Sequence, residues 1–415
     1  MQMHIKDNEN QTKILFTDNT LIARKIDESI KIYKWDFLLP AFPKGSFLVG
    51  GYIRDLLLNR LNESLDVDIV VPRNAIKIGK NISRKFNGKY ILLDKEREVV
   101  RIIFKSFSID IAAQTSKLLN NDLFSRDFTI NSIAFSFDSR TIIDPTNGIN
   151  DINKSLLRTY SNKNILDDPL RILRCFRFKS EINFDIDLEL LEFIKINKNT
   201  LNQVSYERIQ YEIKRIINGT EALRVISTVN KLKIFSFLQS YENYFVNEIN
   251  TMHRDIFQKE EIEKFLPIVF LNEILDLNAI KQLKFSRSVF LNSGLLMKWR
   301  SKLIKKSISH WTEMERFNLH KDLEDYLPAF ISYLPKTFQL EWITRWRDME
   351  DKLFHPSNLI NGDNIKKYLP ISDGPLLGSL LAYLSMELAY DRVLNFDDAI
   401  YKAKQWFKQN APKCD

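Results

Sequence analysis

Long uninterrupted apolar runs are missing from this sequence. No stretch approaches the roughly 20 consecutive apolar residues that a membrane-spanning helix needs. Residues 1–13, MQMHIKDNENQTK, are polar and lack the apolar centre of a secretory signal. We therefore expect a protein that has no contact with a membrane and that resides in the cytoplasm.

Cysteine and histidine are also scarce. The 2 cysteines, Cys175 and Cys414, lie far apart in the chain and give no disulfide framework, which fits a reducing compartment. The 5 histidines are scattered, and none pairs with a cysteine at the spacing of zinc ligands. A zinc site is not expected, so a catalytic metal would have to bind carboxylates.

The remaining composition is that of a globular protein. The chain has 415 residues, of which 44% are hydrophobic and 27% charged, and this length predicts two to four domains. Its net charge of +8 favours a polyanionic partner such as nucleic acid. A surface with somewhat more lysine than glutamate would explain the same charge.

The hydrophobic pattern changes along the chain. Residues 46–145 alternate short β-rich runs with helical stretches, whereas the later residues repeat apolar positions with a helical period of about 3.6. The sequence therefore predicts an α+β fold, with a small mixed sheet and helices in residues 1–150 followed by an all-α remainder.

Two glycines, Gly50 and Gly51, stand between the apolar run FLV and a predicted helix. Glycine lets a phosphate approach the backbone, and the first N–H groups of a helix are free to bind it. Arg54, one turn into the helix, would add charge-assisted hydrogen bonds to the same phosphates. A tight turn would explain the glycine pair alone, so both interpretations stay open.

Asp66 and Asp68 are separated by one residue in the β-rich run LDVDIVV. Alternation along a strand places both carboxylates on one face. A solvated strand end accounts for many such pairs, but a third acid, Asp110, lies in the β-rich run FSIDIAA. Three carboxylates on adjacent strands would suit two Mg²⁺ ions, which activate a hydroxyl and neutralise a leaving pyrophosphate.

The segments GGYIRD, LDVDIVV, IDIA and RDFTIN together resemble the head of the class II tRNA nucleotidyltransferase and bacterial poly(A) polymerase family, within the polymerase-β-like nucleotidyltransferases. The resemblance implies that Asp66, Asp68 and Asp110 bind the catalytic metals. It also implies a nucleotide site, with Gly50, Gly51 and Arg54 at the triphosphate and with Arg126, Asp127 and Asn131 near the sugar and phosphates. Many relatives have a second arginine just before this last motif, where this chain has Ser125.

The segment DDPLRILRCFRF, residues 167–178, predicts a helix with Asp168 as its N-cap. An Asp acceptor beside an Arg donor complements the amino group and ring nitrogen of cytosine or adenine. Uracil and guanine would leave buried polar groups unpaired, at a cost of roughly 1–3 kcal/mol each. An ordinary basic helix packed on the head is the alternative. The family has Glu-Asp-x-x-Arg here, and by resemblance Asp168 and Arg171 read the base while Arg174 and Arg177 support the site and the phosphates.

The step from Asp110 to Arg126 spans only 126 − 110 = 16 positions. In full CCA-adding and in A-adding relatives a long flexible segment separates these motifs, and a shortened segment is associated with enzymes that add only CC. A pocket that accepts ATP after CTP must rearrange, and a mobile lever does this only where it is present. We therefore predict a CC-adding enzyme. A CCA-adding enzyme with another loop as its lever, a poly(A) polymerase and an inactive RNA-binding relative are the alternatives.

The resemblance also divides the chain into parts and implies partners. It implies a catalytic head (1–150), a neck that reads the base (151–220), a body (221–300) and a tail that binds tRNA (301–415). The predicted partners are CTP, with ATP as an alternative, the 3′ end and elbow of tRNA, and a separate A-adding enzyme that acts afterwards. The sequence does not decide the oligomeric state.

Overall fold

The structure is a computed structural model that describes residues 18–61, 65–114, 116, 118–238, 255–357 and 359–410. The chain divides into two compact units, which are Met1–Glu212 with Gly219–Glu221 and Ile213–Asn218 with Ala222–Asp415.

The first unit contains a seven-stranded sheet in the order β3-β4-β5-β2-β1-β6-β7 and a parallel pair formed by β8 and β9. In the large sheet β2 and β5 are parallel, and all other neighbours are antiparallel. The strands are β1 (Phe47–Val49), β2 (Leu65–Val71), β3 (Lys89–Asp94), β4 (Val99–Ile103), β5 (Phe107–Ala113), β6 (Ala134–Ser136), β7 (Ile142–Ile143), β8 (Leu156–Leu157) and β9 (Asp185–Ile186).

Eight helices belong to the described part of the first unit, and a ninth crosses into the second unit. They are α1 (Asn19–Ile32), α2 (Gly51–Leu57), α3 (Ala75–Phe86), α4 (Leu119–Phe124), α5 (Gly148–Lys154), α6 (Asn162–Asp167), α7 (Arg171–Ile182), α8 (Leu188–Asn197) and α9 (Tyr206–Ile217).

The two faces of the sheet differ in character. On β2 the side chains of Val67 and Ile69 are buried on one face, whereas Asp66 is exposed on the other. Because Ile69 pairs with Ile111 of β5, the apolar face continues across the neighbouring strand. This alternation leaves the opposite face of the sheet for the polar residues of the predicted site.

Helix α4 covers one end of that opposite face. Its Leu123 is fully buried in a cluster with Val49, Val70 and Ala134, and Leu119 packs against the same cluster. Val49 pairs with Asp68 in the sheet, so these apolar residues share the face of the carboxylates. Helix α4 is therefore anchored to the core of the sheet.

The described residues of the second unit contain helices and no strand. Among the described helices, none has both the length and the apolar content that a membrane span requires. The helices are α10 (Ala222–Lys231), α11 (Lys259–Ile274), α12 (Leu277–Gln282), α13 (Arg287–Lys305), α14 (Glu313–Leu323), α15 (Leu327–Ile331), α16 (Lys336–Arg347), α17 (Gly362–Lys366), α18 (Pro375–Ala389) and α19 (Phe396–Asn410).

The predicted fold class is confirmed, because a mixed sheet with helices precedes a mostly helical remainder. The short parallel pair of β8 and β9 departs from the all-α prediction for residues after 150. The division into head, neck, body and tail stays a prediction. Cys414 and the segment 1–13 lie outside the described residues.

A buried histidine marks the core of the second unit. His320 of α14 is 0% exposed, and its ring lies 4.2 Å from the ring of Phe354 and 5.1 Å from that of Trp342. Neither ring nitrogen has a hydrogen-bond partner among the described residues. Burial, reinforced by the nearby charge of Arg345 and opposed by Asp351, lowers the pKa of His320 to about 3.

We predict that His320 makes the protein sensitive to acid. Because the folded-state pKa lies below the ordinary value of 6.5, its neutral form contributes fully above pH 6.5. That contribution falls by up to about 1.4 kcal/mol per pH unit as the pH drops from 6.5 towards the folded pKa. Between pH 7 and pH 5, the free energy of unfolding should fall less for His320→Phe than for the wild type, because the variant has no histidine to protonate here. Urea unfolding at the two pH values measures this difference. Equal losses in both proteins, with exposed His310→Gln as control, would contradict this assignment.

Candidate active site

The sheet brings the three predicted carboxylates together. The parallel register of β2 and β5 places Asp68 opposite Asp110 and Asp66 opposite Ser108. The antiparallel register of β4 and β5 then places Arg101 opposite Asp110. Because paired residues in a sheet share a face, all of these side chains lie on the same side.

Two of the carboxylates already have protein partners. Asp110 accepts two hydrogen bonds from Arg101, with Nε 2.7 Å from Oδ1 and Nη2 2.8 Å from Oδ2. Asp66 accepts a hydrogen bond of 2.5 Å from the hydroxyl of Ser108. Among the described residues, no group of three or more His, Cys, Asp or Glu side chains is placed to hold a metal ion. Arg101 takes both oxygens of Asp110 in this conformation, so the three-carboxylate ligand set stays a prediction.

The carboxylates nevertheless fit a cation chemically. Burial raises the pKa of Asp68 to about 6, the charges of Asp110 and Asp66 add to the rise, and the nearby Arg126 and Arg54 oppose it. Carboxylate oxygens are the ligands that Mg²⁺ prefers, and a bound cation would offset the repulsion between them. The row of acids has the right donor chemistry, and the ion pair at Asp110 would have to open.

Gly50 lies at a position where a side chain would not fit. It lies between β1 and α2 with a φ of +76°, and its N–H donates to the carbonyl of Ile133 at 3.2 Å. A Cβ atom here would lie 2.9 Å from Nη1 of Arg126 and 3.2 Å from Oδ2 of Asp68. Gly51 begins α2, where a Cβ atom would make only ordinary contacts with Arg54. Gly50 therefore lets two site residues approach the backbone.

The arginines of the predicted phosphate site are held in place by acids. Arg54 donates to both carboxylate oxygens of Asp55 at 2.8 and 2.7 Å, and its Nη1 donates to the side chain of Asn131 at 2.6 Å. Arg126 forms an ion pair of 3.2 Å with Asp122 of α4. The structure thus brings the motifs GGYIRD and RDFTIN together. Asp122 was not predicted, although its i, i+4 spacing to Arg126 was visible in the sequence.

Asp127 joins α7 to the head. Its carboxylate accepts hydrogen bonds of 2.8 Å from Nε of Arg174 and 2.9 Å from the amide of Asn131. Burial alone would raise the pKa of Asp127, but the charge of Arg174 and these hydrogen bonds hold it far below its usual range. Asp127 is therefore an ionised anchor for Arg174 and Asn131.

The start of α7 differs from the prediction. The helix begins at Arg171 with Leu170 as N-cap, so the prediction that Asp168 is the N-cap was wrong. Asp168 instead has an extended backbone, and its carbonyl accepts the N–H of Arg171 at 3.0 Å. The turn at Pro169 and Leu170 displaces the helix start by two residues, and Asp168 stays next to Arg171.

The predicted base-reading pair is held from both sides. The carboxylate of Asp168 accepts from Nη2 of Arg208 at 2.9 and 3.2 Å. Arg171 donates from Nη1 to the carbonyls of Ser125 and Asn164 at 2.8 and 3.0 Å. Ser125, where many relatives have arginine, bonds through its hydroxyl to the carbonyl of Asp122 at 2.8 Å. Ser125 contacts Arg171 only through its backbone carbonyl among the described residues.

Arg177 occupies a different environment from the other predicted arginines. It is 5% exposed, and its Nη1 lies 3.1 Å from Oε1 of the buried Glu212. The next residue, Phe178, is also buried. Three guanidinium groups lie over its ring, those of Arg54 at 4.8 Å, Arg174 at 5.6 Å and Arg177 at 4.5 Å. Phe178 was not predicted, because a single apolar residue beside a row of arginines gives no sign of this contact in the sequence.

Comparisons with known families agree with this architecture. Residues 46–158 match the model of the poly A polymerase head domain. Residues 183–241 match the model described as the probable RNA and SrmB-binding site of polymerase A.

Similar proteins include nucleotidyltransferases. The CC-adding tRNA nucleotidyltransferase of Synechocystis sp. is 27% identical over 397 residues, which cover 89% of this chain and 95% of the relative. That of Geobacter sulfurreducens is 35% identical over 181 residues, which cover 43% of this chain and 42% of the relative. The Thermotoga maritima CCA-adding enzyme complexed with tRNA has a TM-score of 0.70 at 21% identity, covering 95% of this chain and 100% of that one. This last likeness concerns the fold.

We predict that Gly50→Ala destabilises the first unit. A positive φ and a crowded Cβ position should together cost about 1–3 kcal/mol. Thermal unfolding measured by circular dichroism should show a lower midpoint for Gly50→Ala than for the wild type. The neighbouring Gly51→Ala is the matched control, and it should stay within about 1 kcal/mol of the wild type. Equal midpoints for the two variants would contradict the steric argument.

Proposed function

Because this chain belongs to the class II tRNA nucleotidyltransferase and bacterial poly(A) polymerase family, we propose that it adds two cytidines from CTP to the 3′ end of tRNA. The reaction is a nucleotidyl transfer that needs no nucleic-acid template and releases pyrophosphate. The observation that carries this proposal is the row of Asp66, Asp68 and Asp110 on one face of the sheet, next to Gly50. We place the reaction in the cytoplasm.

The carboxylates would hold the cofactor of this reaction. We propose that Asp66, Asp68 and Asp110 bind two Mg²⁺ ions, which when bound supply Lewis acidity to the attacking hydroxyl and the leaving pyrophosphate. Arg54 and Arg126 would bind the triphosphate, because both guanidinium groups lie beside Gly50 and Gly51. Their acidic partners Asp55 and Asp122 fix both side chains before the nucleotide arrives, which lowers the entropy lost on binding.

Base selection would rest on Asp168 and Arg171. Arg208 holds the carboxylate of Asp168 from one side. The remaining lone pairs of this carboxylate can accept a hydrogen bond from the amino group of cytosine. Arg171 spends only Nη1 on Ser125 and Asn164, so within the described chain its other N–H groups are open to a ring nitrogen or carbonyl. A pair oriented in this way favours cytosine over uracil, which presents the reverse polarity.

The proposal that addition stops after two cytidines rests on α4. The segment between β5 and Arg126 is short, and Leu119 and Leu123 pack it against the sheet. Asn164 also donates hydrogen bonds of 2.7 and 2.8 Å to the carbonyls of Phe124 and Arg126. A segment tied at these points is poorly suited to serve as the lever that would adapt the pocket to ATP. Two similar proteins, those of Synechocystis and Geobacter, are CC-adding enzymes.

This proposal implies further partners. The helical tail would bind the tRNA elbow by shape and through its phosphates, which makes binding sensitive to salt. A separate A-adding enzyme would complete the tRNA end. The alternative is a full CCA-adding enzyme, which is favoured by the fold shared over nearly the whole chain with the Thermotoga enzyme.

We predict that the purified protein extends a tRNA lacking its 3′ CCA by CC and no further. The protein would be incubated with Mg²⁺, this tRNA and CTP, ATP or both, and the product ends would be sequenced. Asp68→Asn is the inactive control, and it should lose nearly all incorporation because a neutral amide replaces a metal-binding carboxylate. A CCA end made with both nucleotides would contradict the CC proposal, and long A tails would indicate a poly(A) polymerase.

We also predict that Arg171→Ala relaxes the choice of base. The variant should incorporate UTP relative to CTP about tenfold or more better than the wild type, since about 1–3 kcal/mol of discrimination is lost. Single-nucleotide incorporation assays with CTP and UTP measure this ratio. Lys195→Ala, an exposed residue of α8 that pairs only with Glu192 among the described residues, is the control. An unchanged ratio in Arg171→Ala would rule out the proposed base contact.

A further inference from the structure

One strong interaction at the proposed site has no part in the reaction described so far. Arg101 of β4 grips Asp110 of β5 through two parallel hydrogen bonds, of 2.7 and 2.8 Å. The two residues are direct partners in the antiparallel register, so the backbone itself sets their side chains next to each other. Such a two-pronged contact is the strongest geometry available to an arginine and a carboxylate.

The ion pair occupies the atoms that a metal would need. Both oxygens of Asp110 are engaged by Arg101, and Asp110 lies beside Asp68 across the strand pair. A cation at Asp110 and the guanidinium group would compete for the same oxygens and would repel each other at this distance. Among the described residues no group of three or more such side chains is placed to hold a metal ion, which accords with this ion pair.

The side chain of Arg101 is exposed enough to move away from Asp110. Its side chain is 40% exposed, compared with 23% for Asp110, so its head group reaches solvent at one side. A partly exposed ion pair contributes little net free energy, so a divalent ion can outweigh it. When released, the guanidinium group would remain on the carboxylate face, on the side of Asp110 that points away from β2.

We propose that Arg101 is a positioning residue that holds Asp110 in the free protein and competes there with Mg²⁺, so that the third carboxylate becomes available only when a divalent ion displaces it. This inference rests on the proposed function, since it takes Asp110 as a metal ligand. It assigns to β4, which carries none of the predicted site residues, a role in setting the affinity for the metal.

Metal binding by the full-length protein tests this directly, without any turnover. Mn²⁺ serves as the probe for the Mg²⁺ site, and the loss of the free Mn²⁺ electron paramagnetic resonance signal reports binding in the absence of nucleotide and tRNA. Arg101→Leu removes the competitor and should bind Mn²⁺ about three- to tenfold more tightly than the wild type. Arg101→Lys keeps the charge but loses the two-pronged contact, and it should fall between the two.

The matched control is Arg97→Leu, which removes the same charge from the turn that leads into β4. Arg97 is 80% exposed, and its guanidinium lies 3.9 Å from Asp94, away from the carboxylate row in the strand register. This variant should bind Mn²⁺ like the wild type. Affinity that is equal in Arg101→Leu and Arg97→Leu, or weaker in Arg101→Leu, would overturn the proposal, as would absence of Mn²⁺ binding in every variant.

Further readouts separate this inference from the proposed function. Circular dichroism checks that Arg101→Leu is folded, and Asp68→Asn should weaken Mn²⁺ binding in both the wild-type and the Arg101→Leu background. If the wild type extends tRNA by CC while Arg101→Leu gains no Mn²⁺ affinity, only the role of Arg101 fails. If Arg101→Leu gains affinity but no protein extends tRNA, the competition stands and the proposed reaction fails.

Discussion

The parallel pairing of β2 with β5 is the constraint on which the site depends. This register sets Asp68 beside Asp110 on one face, with Asp66 two residues away. Carboxylates this close repel each other, and burial of Asp68 adds to the cost. The surrounding arginines offset that repulsion. Arg101 pairs with Asp110, and the charges of Arg126 and Arg54 oppose the rise in the pKa of Asp68.

A second set of contacts ties α7, which begins with the proposed base-reading residue Arg171, to the sheet. Arg174 of α7 meets the buried carboxylate of Asp127, and Asp127 also holds Asn131, which accepts a hydrogen bond from Arg54. The ring of Phe178 packs against the guanidinium groups of both Arg54 and Arg174. The predicted phosphate and base contacts are therefore linked within one unit through buried, charged hydrogen bonds, which would order the proposed nucleotide site before binding.

The short segment after β5 connects this architecture to the proposed choice of product. In place of a long flexible segment the chain forms α4, whose leucines pack on the carboxylate face and whose Asp122 holds Arg126. Arg171 reaches the same segment through the carbonyl of Ser125. Movement of α4 would disturb the proposed phosphate and base contacts together, which is the basis for proposing one fixed pocket over one that adapts from CTP to ATP.

The sequence by itself determined the fold class, the placement of Asp66 and Asp68 on one face of a strand, and the glycine turn before α2, because each depends on local periodicity or on the conformational freedom of glycine. Only the tertiary structure decided that Arg101 opposes Asp110, that Arg208 holds Asp168, and that α7 starts at Arg171. Strand order and ion pairs between distant segments depend on non-local packing, which no short pattern encodes. Asp110 was expected beside Asp66 and Asp68 from the family resemblance, whereas Arg101 lies in a strand that no predicted motif marks.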